Sequence, residues 1–167
     1  MKKIIKELYP YVIIIVVVVL FRTFIATPVR VDGDSMKSTL NNGEILILNK
    51  LDKTYDRFDI VVINIDKTKL VKRIIGLPGE NIEYKDNELY INGQKIDDIE
   101  TSRTSNFSLE ELYDIDKIPE DYYFVMGDNR GNSTDSRDYR VGLIKESDIV
   151  GTTTIRLFPF TRIGKFN

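Results

Sequence analysis

The chain has no histidine and no cysteine. That removes imidazole bases, thiol nucleophiles, thiolate metal sites and disulfides. A base working near neutral pH must then be a carboxylate, a lysine, a tyrosine or a metal-bound water. Three segments hold the candidates. Val31-Asp32-Gly33-Asp34-Ser35-Met36-Lys37-Ser38-Thr39-Leu40 places a hydroxyl in a glycine-containing loop. Lys69 to Glu80 carries Lys72 between Leu70 and Ile74 at strand spacing, with Arg73 turned the other way beside Val71 and Ile75. Met126 to Arg137 is densely polar yet follows an apolar run. Each segment alone has a plainer reading. The first is an ordinary turn, the second an edge-strand lysine that blunts aggregation, the third a hydrogen-bonded structural loop. A calcium loop starting at Asp128 fails, because its third place is Arg130.

A serine hydroxyl is a poor nucleophile until a base takes its proton. Neutral lysine can be that base. A free lysine with a pKa of about 10.4 is roughly 0.04% neutral at pH 7. Lowering the pKa to about 8 makes roughly a tenth neutral, for about 3 kcal/mol of differential stabilisation. Burial against apolar neighbours such as Leu70 and Ile74 supplies this, since desolvation disfavours the ammonium form.

The elements that must position these groups fall into two parts. Lys2, Lys3 and Lys6 precede an unbroken apolar run, Val12 to Phe21, which Phe24-Ile25-Ala26 extends beyond Arg22. Residues 9–26 read as a membrane span, at the short end of what crosses a ~30 Å hydrocarbon core. Arg22 snorkels to the interface. A cleavable signal peptide fits less well, since cleavage after Ala26 would put Phe24 where a small residue is needed. A buried core helix fits less well too, because the run is apolar on every side. The leading cations predict that residues 1–8 form a cytoplasmic tail and residues 27–167 an extracytoplasmic domain. Without Lys2, Lys3, Lys6, Arg22 and Glu7, that outer part holds 20 cationic and 25 anionic side chains. A nucleic-acid binder would carry a basic excess instead.

The outer part is predicted to be mainly β, an antiparallel barrel or sandwich. Apolar or alternating runs at Ile45–Leu48, Ile60–Ile65, Leu70–Leu77, Ile82–Tyr84, Leu89–Ile91, Tyr122–Met126 and Ile149–Phe158 read as strands. Asn92-Gly93 signals a two-residue hairpin, and Lys85-Asp86-Asn87 a second turn. Ser108 and Glu111 fit a capping box for a short helix at Leu109–Tyr113. Residues 99–121 otherwise read as a polar surface insertion.

Taken together, the segments resemble bacterial type I signal peptidases, over nearly the whole chain. Gly33-Asp34-Ser35-Met36 with Thr39-Leu40, then Lys72-Arg73-Ile74-Ile75-Gly76-Leu77-Pro78-Gly79-Glu80, then Gly127-Asp128-Asn129-Arg130 with Ser133 and Asp135-Ser136-Arg137, occur in the family's order. The single span resembles Gram-positive members. The resemblance implies a Ser-Lys serine endopeptidase with Ser35 as nucleophile and Lys72 as general base. It implies that Ser133 hydrogen-bonds the lysine amine, and that Asp135 and Arg137 support the site structurally. Met36 is a candidate for lining a shallow apolar substrate pocket. Implied partners are signal peptides of secretory preproteins, the lipid bilayer and the protein-export machinery, with no nucleic acid. No metal and no cofactor is implied. Two departures stand out: Ser38 replaces the family's usual proline, and Gly33 a hydroxyl residue of some members. The loop beside the nucleophile is therefore expected to be less rigid. Two other readings stay open: a self-cleaving Ser-Lys protease, and a catalytically inactive anchored β-domain that binds partner proteins.

Overall fold

The computed structural model describes residues 2–65, 68–100 and 102–166, with side chains from Lys6 onward. Helix α1 runs from Lys2 to Phe24. Its Lys6–Phe24 stretch is long and apolar enough to cross a membrane, and none of it is buried by the rest of the protein. Its apolar side chains face outward on every side, which a water-facing helix does not tolerate. The helix stops two residues short of the expected limit at Ala26. Thr27 precedes Pro28, and a residue before proline is driven from the helical to the extended region.

Twelve strands follow among the described residues: β1 (Ala26–Arg30), β2 (Ile45–Asn49), β3 (Ile60–Ile65), β4 (Thr68–Gly76), β5 (Ile82–Lys85), β6 (Glu88–Ile91), β7 (Gln94–Ile96), β8 (Phe107–Ser108), β9 (Tyr122–Met126), β10 (Ile144–Lys145), β11 (Ile149–Phe158) and β12 (Gly164–Lys165). Helix α2 spans Leu109–Tyr113. The larger sheet runs β1-β2-β11-β3-β4-β9-β10, with β12 on β11. The smaller runs β7-β6-β5-β8. Pairing is antiparallel throughout. The larger sheet ends in β1 and β10 rather than closing on itself, so the architecture is sandwich-like and not a closed barrel.

Leu46 and Leu48 of β2 face inward at alternate positions, as a strand with one covered face requires. β3 and β4 are central, so most of both is buried on both faces. One apolar cluster joins Val29, Val31, Met36 and Leu40 to β2, β3 and β4. A second packs Tyr55, Val61, Ile63 and Ile74 against β9. The third lies between the two sheets around Phe107, Leu109, Ile118 and Phe124. Residues 99–121 are therefore no mere surface insertion. Phe107, Leu109 and Ile118 are core residues, spaced among polar ones too sparsely to show a period. Ser108 and Glu111 form the capping box of α2. Both hairpin turns have positive φ at their two central residues, 53° and 68° at Asp86-Asn87 and 51° and 76° at Asn92-Gly93. That conformation matches the twist of the flanking strands.

Three features of this fold place the site. β1 delivers the chain into the Val31–Leu40 loop. β4 holds Lys72 within the sheet. β9 ends at Met126, which pairs with Arg73, so Gly127 leaves the sheet directly opposite Lys72.

Candidate active site

The Val31–Leu40 loop is anchored by its apolar residues. Met36 is 1% exposed and Leu40 fully buried, while Ser35 between the loop and solvent is half-buried. Tight backbone bonds brace it, from Lys37 N–H to Asp34 O at 3.0 Å and from Leu40 N–H to Met36 O at 2.8 Å. The 127–137 loop clamps it from the other side. Asn129 donates its backbone N–H to Ser35 O and its side-chain amide to Asp34 O, both at 3.0 Å. Ser38 stands at φ 115°, where proline's fixed φ near −65° cannot go. Its hydroxyl hydrogen-bonds the Glu100 carboxylate instead, so this part of the loop is tied down by a side chain rather than left loose.

Lys72 is 2% exposed. Val61 lies opposite it on β3 and Ile74 shares its face. Its Nζ donates to Ser133 Oγ at 3.0 Å. Burial pushes the amine down from 10.5 to about 8. The Asp135 carboxylate pulls it up, Arg137 pushes it down and Asp128 pulls it up. The ordering of these effects matters, since the anions nearby would stabilise an ammonium, and desolvation overrides them.

Asp135 is fully buried. Burial raises its pKa, but the Arg137 hydrogen bonds and charge, the Gly127 N–H and the Ser133 hydroxyl together hold it below the usual carboxylate range. Arg137 grips it in bidentate fashion, both contacts at 2.8 Å. Gly127 donates its N–H at 2.9 Å. Gly127 is also the hinge of the geometry. A side-chain carbon there would collide with Ser133 Oγ on one side and the Ser35 carbonyl oxygen on the other. Gly127→Ala is therefore expected to lower kcat/KM about a hundredfold and to cost about 1–3 kcal/mol in an unfolding titration.

The structure thus brings Ser35, Lys72, Ser133, Asp135 and Arg137 into one neighbourhood, whereas Met36 is 1% exposed in the core cluster of Ile60, Val62 and Val71, on the sheet face opposite Lys72. A second set of residues carries no chemistry in the sequence reading but builds the frame. Arg73 is 1% exposed on the face opposite Lys72. It forms a bidentate pair with Asp128, at 2.8 and 2.7 Å, and donates to Phe58 O at 2.8 Å. Thr39 Oγ1 donates to the same carboxylate at 2.6 Å. Asp128 therefore joins the serine-bearing loop, β4 and the 127–137 loop. Arg130 forks onto Asp98 at 2.6 and 3.1 Å and ties that loop to the smaller sheet. The only sequence signal for these partners is their place beside Lys72 and within Gly127-Asp128-Asn129-Arg130.

Chemically, an amine kept partly neutral near pH 8, hydrogen-bonded to the Ser133 hydroxyl and set across Gly127 from the Ser35 loop, is equipment suited to a hydrolase with a lysine base. The family model described as signal peptidase, peptidase S26, matches residues 3–158, and the chain belongs to that family. It is 43% identical to signal peptidase I S of Bacillus subtilis (strain 168), over 99% of this chain and 95% of that one. It is 40% identical to a signal peptidase I of Bacillus amyloliquefaciens, over 92% and 88% of the two chains. Among solved structures, the crystal structure of a signal peptidase I from Enterococcus faecalis V583 matches at 36% identity with a TM-score of 0.53. That match covers 59% of this chain and 96% of the other.

Proposed function

We propose that this chain is a membrane-anchored serine endopeptidase that removes signal peptides from secreted preproteins, with Ser35 as nucleophile and Lys72 as general base. The observation that carries the reading is the buried Lys72 amine, 3.0 Å from Ser133 Oγ and opposite the glycine against which the Ser35 loop packs. Neutral Lys72 accepts the Ser35 proton as Oγ attacks the scissile carbonyl. The backbone N–H of Ser35 is the donor at hand for the developing oxyanion. The lysine then passes its proton to the departing amine, leaving an acyl ester on Ser35. Water deprotonated by Lys72 hydrolyses that ester and regenerates the free hydroxyl. Ser133 holds the amine in line, and Asp135 with Arg137 holds Ser133 and Gly127.

The substrate's place follows from two unpaired strand edges. Among the described residues, β1 pairs with β2 and no other strand, and Thr68–Val71 of β4 pair with β3 alone, because β9 joins β4 from Arg73 onward. Both edges lead to the site, and an extended peptide adds to such an edge through main-chain bonds. Residues 1–8 lie in the cytoplasm, the span lies within residues 9–24, and the domain from Ala26 onward is extracytoplasmic, where the export machinery delivers preproteins.

The test is direct. The full chain in detergent, given a secretory preprotein, releases a mature product cut after small residues at the first and third places before the bond. Failure to cut any preprotein refutes the assignment. Ser133→Ala is expected to lower kcat/KM by about tenfold to a hundredfold, because it frees the amine rather than removing it.

A further inference from the structure

Helix α1 joins the domain through a clasp that the chemistry at Ser35 does not itself require. The last carbonyls of a helix have no donor within the helix. Here Arg22 O accepts the Thr27 hydroxyl at 2.7 Å and Lys50 Nζ at 3.2 Å. Thr23 O accepts Lys50 Nζ at 3.1 Å. Ile25 O accepts the Lys50 backbone N–H at 3.0 Å. Lys50 directly follows β2, whose Asn49 pairs with Ala26 of β1. An ammonium at the negative end of a helix is favourable, and the attraction grows at the edge of a low-dielectric layer. β1 then runs in register along β2, and Val31 N–H bonds to Glu44 O at 2.8 Å just before the serine-bearing loop. A hydrogen-bonded path therefore leads from the end of the helix to Val31, and beyond it Asn129 holds Asp34 O and Ser35 O at 3.0 Å each.

We propose that Lys50 and Thr27 are positioning residues that fix the height of Ser35 above the bilayer. They thereby set how many residues a substrate must place between its membrane-embedded apolar segment and the bond to be cut. This deepens the membrane-peptidase reading and rests on it. One residue of extended chain spans about 3.3 Å. A misplacement of about 1 Å at reacting atoms already costs about a hundredfold in rate. A rigid mount therefore discriminates spacing, whereas a swivelling one tolerates a range. A water-soluble peptide has no fixed height and is indifferent to the mount.

The experiment uses the full chain in phosphatidylethanolamine–phosphatidylglycerol vesicles. Its substrates are preproteins that differ by single residues in that spacing, with a water-soluble peptide spanning the same bond as control. The wild type is expected to show a sharp optimum, falling about tenfold within two residues on either side. Lys50→Met with Thr27→Val is expected to flatten the profile to within about threefold, while its rate on the soluble peptide stays within about twofold of wild type. Lys50→Arg keeps donors and charge and retains the sharp optimum. An unchanged profile in the double variant overturns the proposal. So does an equal loss on the soluble peptide, which would make the pair merely structural. A wild type that cuts the soluble peptide with a flat preprotein profile overturns the proposal alone. A wild type inert on every preprotein brings down the functional reading as well.

Discussion

Lys72→Met abolishes cleavage and stabilises the fold. Loss of the proposed base, like loss of the proposed nucleophile in Ser35→Ala, is expected to lower kcat/KM by at least about a thousandfold, the scale on which such units fail when one member is removed. The stability effect follows from the same burial that makes the amine useful. Lys72 titrates at about 8 in the folded chain against an ordinary 10.5. Between those values the unfolded chain binds more protons, so wild-type stability rises with pH across that window. Below pH 8 the lysine must be protonated inside the fold, at a cost of about 3 kcal/mol. Methionine fills a similar volume with no charge to desolvate. At pH 7 the variant should gain up to about 3 kcal/mol, and it should lack the rise between pH 8 and 10.5. Chemical unfolding across that pH range measures both. A gain in stability with a loss of activity is what a base held in place for its chemistry produces.

Asp128→Ala has the opposite character. It strips the Arg73 guanidinium of its only carboxylate partner among the described residues, with both side chains almost fully buried. Breaking a buried pair on one side costs about 3–5 kcal/mol, because the remaining charge is left uncompensated. Thr39 loses its acceptor at the same stroke. The serine-bearing loop and the 127–137 loop then lose one of their ties and keep the Asn129 bonds to Asp34 O and Ser35 O. The expected result is a lower unfolding midpoint by that amount, together with a drop in kcat. Asp128→Asn restores the shape without the charge and recovers only part of the loss.

How much of this was legible in the sequence depended on where each signal resides. Ile60–Ile65, Tyr122–Met126 and Ile149–Phe158 are strands with those limits. Apolar runs between turn residues carry that information locally. β8, β10 and β12 are two residues each and have no period to read. β1 was hidden behind the apolar run that precedes it, and only Thr27-Pro28 marks the switch. Alternation on β4 separated Lys72 from Arg73 but could not say that both are buried, because that depends on strands from distant parts of the chain. For the same reason the Arg73–Asp128 pair, the Ser38–Glu100 bond and the Lys50 clasp were out of reach. Each joins residues that only the tertiary register brings together. Glycine at 127 is explained only once Ser35 and Ser133 are seen to press on it from two sides.

The most direct measurement of the central claim is the pH dependence of kcat/KM on a soluble peptide that carries no titrating group in the working range. If neutral Lys72 is the base, the rate rises tenfold per unit on the acid side and levels off around pH 8, the position of the buried amine. A profile flat from pH 6 to 9, or one still climbing as it approaches the pKa of an ordinary lysine at about 10.4, would contradict it.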